Sequence, residues 1–186
     1  MAINQEEILG LLDGVYPAAF VPFRAYGIYV FRFFKNYDWR YVIIDERLPC
    51  RDAWDGPKLV FCRCGNLNEF WGPLIEKAYA KLHKTYQSLI SGHTDDGLSD
   101  MTGLACERTD VRIAKRRPTD SDLAIHYKKL WEKVFSLYKD GSMSGTSIKG
   151  TPGEMVKTKY GRKSGLLAGH AYSIISTFYI LQKIKI

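Results

Sequence analysis

A glycine–histidine step near the end of the chain is the first feature whose residue types could do chemistry. The stretch "SGLLAGHAYSII" places His170 directly after Gly169, at the start of an apolar run typical of a buried strand. An imidazole changes its protonation near neutral pH, so His170 could serve as a general base and acid. A glycine before it lets a ligand backbone approach closely. A single histidine beside a strand is more often structural, and both interpretations stay open.

Nucleophilic catalysis would need a cysteine or serine beside this histidine and a third group to orient the ring. The chain has four cysteines, Cys50, Cys62, Cys64 and Cys106. None of them starts a predicted helix, where the dipole and free amides would favour a thiolate. Cys62 and Cys64 fall in a predicted strand and are too few for a zinc site. The chain thus has a base-like histidine and no convincing nucleophile.

The elements predicted for the first half are an antiparallel hairpin and a long helix. The runs "GIYVFRFF" and "WRYVIID" are rich in β-branched and aromatic residues and flank the turn "KNYD". A loop, "RLPCRDAWDGPK", follows. Apolar residues at spacings of three and four then predict a helix from Trp71 to Leu89, with Asn68 as a plausible N-cap. Residues 4–12 are predicted to be an earlier helix.

The second half is predicted to be a helix leading into β structure. The polar segment "ISGHTDDGLSDMTG" is the best candidate for a boundary between lobes. A helix is predicted over 120–139, with Thr119 and Asp122 as a capping box and Gly141 at its end. The stretches "MSGTSI", "HAYSIIS" and "FYILQKIKI" are strand-like, and "KGTPGEMVKTKYGRKSG" is a predicted loop.

Composition argues against some classes of function, and a basic nucleic-acid-binding module ranks last among the alternatives. The 186 residues are 46% hydrophobic and 25% charged, as in ordinary globular proteins. The net charge of +7 lies mostly in the second half, but its densest cluster, "KRR" at Lys115 to Arg117, lacks the interleaved aromatics of a nucleic-acid site. No apolar run approaches the roughly 20 residues that span a bilayer. We therefore expect a cytoplasmic protein with reduced thiols, no nucleic-acid partner and no membrane span.

Several segments together resemble a known protease family. "NEFWGPLIEKAYAKLHKTYQSLISG", Asn68 to Gly92, and "GLLAGHAYSI", Gly165 to Ile174, are similar to the core of the calpain cysteine proteases. "WRYVIIDERLPC" resembles the family's hairpin strand and the loop after it. "GLSDMTG" resembles the segment that opens its second lobe, and "EEIL" the helix that carries its nucleophile. The likeness covers nearly the whole chain, in order.

The resemblance implies an α+β fold, a partial papain-like core of two lobes. Residues 1–91 would be the C-terminal part of the first lobe and 92–186 the N-terminal part of the second. His170 would match the catalytic histidine. Gly92 and Gly169 would match glycines that line the substrate cleft. Glu69 would match a carboxylate ligand of a calcium ion, since hard oxygen suits Ca²⁺; without the family, it reads as a first-turn helix acid.

The resemblance also implies partners of His170 that the chain lacks. The family's Gly-Asp-Cys-Trp motif would lie before Met1, and its Asn-Pro-Trp motif beyond Ile186. The function implied is a calcium-dependent cysteine endopeptidase acting on protein substrates, with further domains in a longer parent, and we expect the chain alone to be inactive. The alternative is a non-catalytic calpain-like pseudoprotease that binds partners.

Overall fold

The computed structural model describes residues 14–66, 69–114, 116–157, 161 and 163–177. Internal contacts divide the chain into two compact units, Met1–Cys106 and Glu107–Ile186. Helices and small antiparallel sheets mix in the described ranges, which confirms the predicted α+β class. The predicted family lobes, residues 1–91 and 92–186, stay a prediction. No helix among the described residues is both long and apolar enough to cross a membrane.

The predicted hairpin of the first unit is confirmed. Strand β1, Ile28–Lys35, pairs antiparallel with β2, Asp38–Asp45, over the full length of both. The two residues that join them, Asn36 and Tyr37, have φ angles of 55° and 62°. Two consecutive positive φ angles are the feature of the type I′ turn, whose twist matches that of the flanking strands. A 3-10 helix, Ala18–Tyr26, leads into the hairpin.

The core of the first unit lies between this hairpin and the helix α1, Trp71–Leu82. Alternate side chains of each strand point inward, as the period of two requires. Phe33 has no exposed surface at all. The buried cluster consists of Val15, Phe31, Phe33, Val42, Ile44, Leu74 and Ala78.

Helix α1 is shorter than predicted. It begins at Trp71, as the apolar spacing indicates, but ends at Leu82, so the prediction of a helix to Leu89 is wrong. Lys84 adopts φ 82°, a left-handed conformation that an α-helix cannot continue. A short 3-10 helix, Tyr86–Leu89, follows and contains the last apolar residues of the periodic spacing. The sequence pattern therefore looks like one continuous α-helix. The predicted cap Asn68 lies outside the described residues.

A second helix stands where the sequence predicted only a boundary. Helix α2, Thr94–Thr102, occupies most of "ISGHTDDGLSDMTG" and contacts β1. Asp95 and Asp96 lie in its first turn, where carboxylates favour the helix dipole. Gly103 ends it with φ 71°, and the Gly103 N–H donates to the Ser99 carbonyl at 2.8 Å. The glycines and aspartates interpreted as a boundary are therefore helix-terminal signals.

Helix α3, Asp120–Lys139, opens the regular structure of the second unit and confirms its prediction. The Thr119 hydroxyl accepts from the Asp122 N–H at 3.2 Å. The Asp122 carboxylate accepts from the Thr119 N–H at 2.8 Å, which completes the capping box. Gly141 follows the helix with φ 75°.

Removing this cap is expected to destabilise α3. Thr119→Ala deletes the acceptor for the Asp122 N–H and should cost about 1 kcal/mol of free energy of unfolding. Hydrogen exchange of the first-turn amides of α3 would report it, and Thr119→Ser, which keeps the hydroxyl, is the matched control. Equal exchange in the alanine variant and in the parent would show that the cap contributes nothing.

Two predicted loops contain short strands, so these predictions are wrong in part. Strands β3, Cys50–Arg51, and β4, Lys58–Leu59, pair within "RLPCRDAWDGPK". Strand β6, Met155–Lys157, lies within the loop predicted over 149–165 and pairs with β7, Lys163–Leu167, which begins in the same loop. Strands of two to five residues carry too little periodic pattern to stand out against glycine and proline signals.

The second unit also contains a pair of strands that are distant in sequence. Strand β5, Ser144–Ile148, pairs antiparallel with β8, His170–Ile174, and Ile148 lies opposite His170. Both strands were predicted. The predicted helix at 4–12 and the predicted strand at 178–186 lie outside the described residues.

Candidate active site

His170 is the first residue of β8 and is exposed. No residue of β8 is buried in its unit, so the prediction of a buried strand is wrong. The imidazole meets the ring of Tyr172 edge-on, with centroids 4.9 Å apart. The Tyr172 hydroxyl accepts from the Leu167 N–H at 2.7 Å, which fixes that ring across the turn between β7 and β8. The imidazole is therefore held on one side and open on the other.

Gly169 is required by the chain's own backbone. It has φ 66°, and a Cβ on it would lie 2.9 Å from the Cα of Pro152. Its N–H donates to the Ile148 carbonyl at 2.7 Å, and the neighbouring Ala168 N–H donates to the Glu154 carbonyl at 2.8 Å. The turn that aims His170 is thus clamped by the segment after β5. The glycine before His170 predicts close approach by a ligand, whereas the contact here is internal, to Pro152.

Gly92 lies in the first unit, two residues before α2, and is exposed. No atom lies within 4 Å of a Cβ built on it. It lines a cavity of about 670 Å³, whose wall is mostly apolar and includes Ile75, Leu89 and Met101. Open space beside this glycine leaves room for an extended backbone, as a cleft glycine needs.

Glu69 precedes α1 and is exposed. Its carboxylate accepts from Asn66 Nδ2 and from Trp71 Nε1, each at 3.2 Å. The alternative interpretation as a first-turn helix acid is wrong, because α1 has no acidic residue in its first turn. Across the described ranges, no group of three or more acidic, histidine or cysteine side chains could hold a metal ion. Since Ca²⁺ takes six to eight oxygens, the described residues do not complete a site around Glu69.

The four cysteines are free thiols. Cys62 and Cys64 lie in irregular chain before α1, so their placement in a strand is wrong. Burial, and then the Glu76 carboxylate, raises the pKa of the Cys62 thiol. Burial, and then the acidic first turn of α2, raises the pKa of Cys106. Raised pKa values lower the thiolate fraction of these two thiols at neutral pH, which disfavours either as the catalytic nucleophile of a peptidase.

Sequence reasoning missed a buried polar cluster that holds α2. Asp100 is only 6% exposed. Its Oδ2 accepts from Lys35 Nζ at 2.7 Å and from the Tyr79 hydroxyl at 2.8 Å, and His83 Nε2 lies 3.6 Å away. Burial, and then the bond to Asp100, raises the pKa of Tyr79, so its hydroxyl stays a donor. The cluster joins β1, α1 and α2, and no local pattern could reveal it.

Comparison with known proteins gives the family. A family model described as "Calpain family cysteine protease" matches residues 9–186. The chain belongs to the calpain family. The resemblance found in the sequence is therefore confirmed. The calpain match includes both His170 and Glu69.

Curated calpains resemble the chain over most of its length. Calpain-5 of Caenorhabditis elegans is 36% identical over 149 residues, which are 80% of this chain and 21% of that protein. Calpain-5 of Mus musculus is 36% identical over 151 residues, 80% of this chain and 22% of that protein. Calpain-type cysteine protease DEK1 of Arabidopsis thaliana is 37% identical over 150 residues, which are 80% of this chain and 6% of that protein. The chain thus spans about a fifth of the length of the calpain-5 relatives.

Proposed function

We propose that this chain is part of a calcium-dependent cysteine endopeptidase that cleaves protein substrates. The observation that carries the proposal is the calpain match over a segment that includes His170, which is exposed and whose ring is in contact with Tyr172. Exposure matters because the imidazole must reach both a thiol and a substrate. The cytoplasm, where free thiols stay reduced, is the proposed location.

In the proposed reaction, His170 moves one proton twice. It accepts the proton of a cysteine thiol as the sulfur attacks the peptide carbonyl carbon, and donates it to the amine that leaves. Water then hydrolyses the thioester, with the imidazole again as the base. An asparagine would hold the ring tautomer, as the third member of a triad does. The nucleophile and asparagine would come from a longer polypeptide.

The clamp at Gly169 supports this role. Its backbone N–H is bonded to the Ile148 carbonyl, so the residue before the imidazole cannot rotate freely. The ring contact with Tyr172 restricts the imidazole itself. Pre-oriented groups need less reorganisation as the reaction proceeds. Gly92, which has open space beside it, is the proposed contact for the substrate backbone, whereas the side of Gly169 where a Cβ would lie is filled by Pro152.

Calcium enters as a proposed cofactor through Glu69. Its carboxylate is exposed and supplies one hard oxygen donor. The other ligands would have to come from outside the described residues. Bound calcium would supply positive charge, and carboxylate oxygens would coordinate the ion. A Glu69→Gln variant should bind calcium more weakly only if those other ligands are present.

The decisive experiment compares two polypeptides from the same gene. The 186-residue chain is expected to leave casein intact with calcium present, whereas a longer product that includes the flanking cysteine and asparagine is expected to cleave it. Addition of a calcium chelator is the control for the cofactor. Hydrolysis by the 186-residue chain would contradict the assignment of the nucleophile to a flanking segment.

A longer product without an in-frame Gly-x-Cys-Trp upstream or Asn-Pro-Trp downstream would favour the alternative function, a non-catalytic protein that binds partners. The raised pKa values of Cys62 and Cys106 are the observation behind that alternative, because they disfavour a thiolate at either residue. Inactivity of a product that carries both motifs would contradict the peptidase itself.

A further inference from the structure

Two thiols converge on the first turn of α1, and no role assigned above uses them. Cys64 Sγ lies 3.2 Å, and Cys62 Sγ 3.4 Å, from the position that a Cβ on Gly72 would occupy. The two sulfur atoms therefore lie no further from each other than about twice that distance. Because glycine has no side chain, both sulfurs can lie against the helix on the same side.

The segment that carries the pair is held in place. The Cys62 N–H donates to Glu76 Oε2 of α1 at 2.8 Å, and Arg63 Nη2 donates to the Leu59 carbonyl at 3.0 Å. Cys62 is exposed and Cys64 is half-buried. A small reagent from solvent therefore reaches Cys62 first and meets Cys64 next.

Metal binding fits this pair poorly. A structural zinc ion takes four ligands, and the residues that the structure describes contain no group of three or more that could hold a metal. Two adjacent free thiols without further ligands are suited instead to thiol–disulfide exchange.

We propose that Cys62 and Cys64 form a redox-active dithiol that closes to an intramolecular disulfide by exchange with a small disulfide such as oxidised glutathione. The Cys62 thiolate attacks one oxidant sulfur, which forms a mixed disulfide and releases one thiol. Cys64 then attacks the Cys62 sulfur and releases the second thiol. Two electrons pass to the oxidant, and the two protons of the cysteines end on the released thiols.

The disulfide would alter the wall of the cavity in the first unit. Cys62 and Gly72 line the same cavity as Gly92. Joining the sulfurs shortens their separation to about 2 Å, so the segment 62–64 must tighten over Gly72. Because Cys62 carries a raised pKa, exchange should quicken as the pH rises.

Peptide mapping tests the proposal directly. The native 186-residue chain is incubated with oxidised glutathione, its remaining thiols are alkylated and it is digested with trypsin. Trypsin cleaves after Arg63, so peptides 59–63 and 64–77 stay joined by the disulfide and separate on reduction. The joined pair is expected to be the main disulfide product, and Cys50 and Cys106 are not expected in any protein disulfide.

Matched variants make the result specific. Cys64→Ser should lose the joined pair and keep glutathione on Cys62, whereas Cys50→Ser should retain the pair. At a fixed glutathione ratio, the disulfide fraction should be several-fold higher in the native chain than in urea. Bonds from Cys62 to Cys50 or Cys106, stable glutathione on both cysteines, or equal fractions with and without urea would each overturn the proposal.

Discussion

Replacing His170 by alanine in the longer calpain polypeptide is expected to lower kcat/KM for a peptide substrate by about 10³-fold or more. The variant keeps β8 but removes the group that takes the thiol proton and protonates the leaving amine. Its side chain is exposed, so the substitution leaves no cavity and should cost little stability. A peptide assay with calcium present measures the loss.

A second histidine of the same unit is the matched control. His126 lies on α3, and its Nε2 is 2.9 Å from the Val111 carbonyl, a contact that involves no candidate site residue. His126→Ala should leave kcat/KM within a few-fold of the parent. Similar losses in both variants would mean that alanine disrupts folding, and retained activity in His170→Ala would remove this histidine from the mechanism.

Elements with local signals were predictable from the sequence. Helix α3 carries its own capping box at Thr119 and Asp122, and the hairpin carries its own two-residue turn. Each signal acts within a few residues, so the pattern alone indicates the element. The end of α1 was missed because the left-handed Lys84 interrupts an apolar spacing that continues beyond it.

In the candidate site, too, the residues with a local sequence signal were predictable and the contacts that hold them were not. His170 and Gly169 were found because they are adjacent and match a family motif. What holds them was not predictable: Pro152, in the segment after β5, lies behind Gly169, and the Tyr172 hydroxyl of β8 accepts from the Leu167 N–H of β7. Asp100 was missed for the same reason, since its partners come from two other segments.

The largest loss of stability is expected from Asp100→Ala. The variant removes the carboxylate that accepts from both Lys35 and Tyr79. The Lys35 ammonium and the Tyr79 hydroxyl then lose this acceptor beside α2. Breaking a buried charged pair typically costs about 3–5 kcal/mol. Because the Lys35 side chain is 35% exposed, water can solvate part of its charge, so we expect about 3 kcal/mol, the lower end. Urea unfolding of the 186-residue chain would measure it.

Two variants distinguish a loss of stability specific to the Asp100 cluster from the general effect of removing a charged side chain. Asp38→Ala removes an exposed carboxylate 3.7 Å from Arg40 and should cost at most about 1 kcal/mol. Tyr79→Phe deletes one hydrogen bond but leaves Asp100 paired with Lys35, and should cost about 1 kcal/mol. If Asp100→Ala costs no more than Asp38→Ala, the cluster does not hold α2. If it costs more, the amides of α2 should also exchange faster, because Asp100 accepts hydrogen bonds that link this helix to β1 and α1.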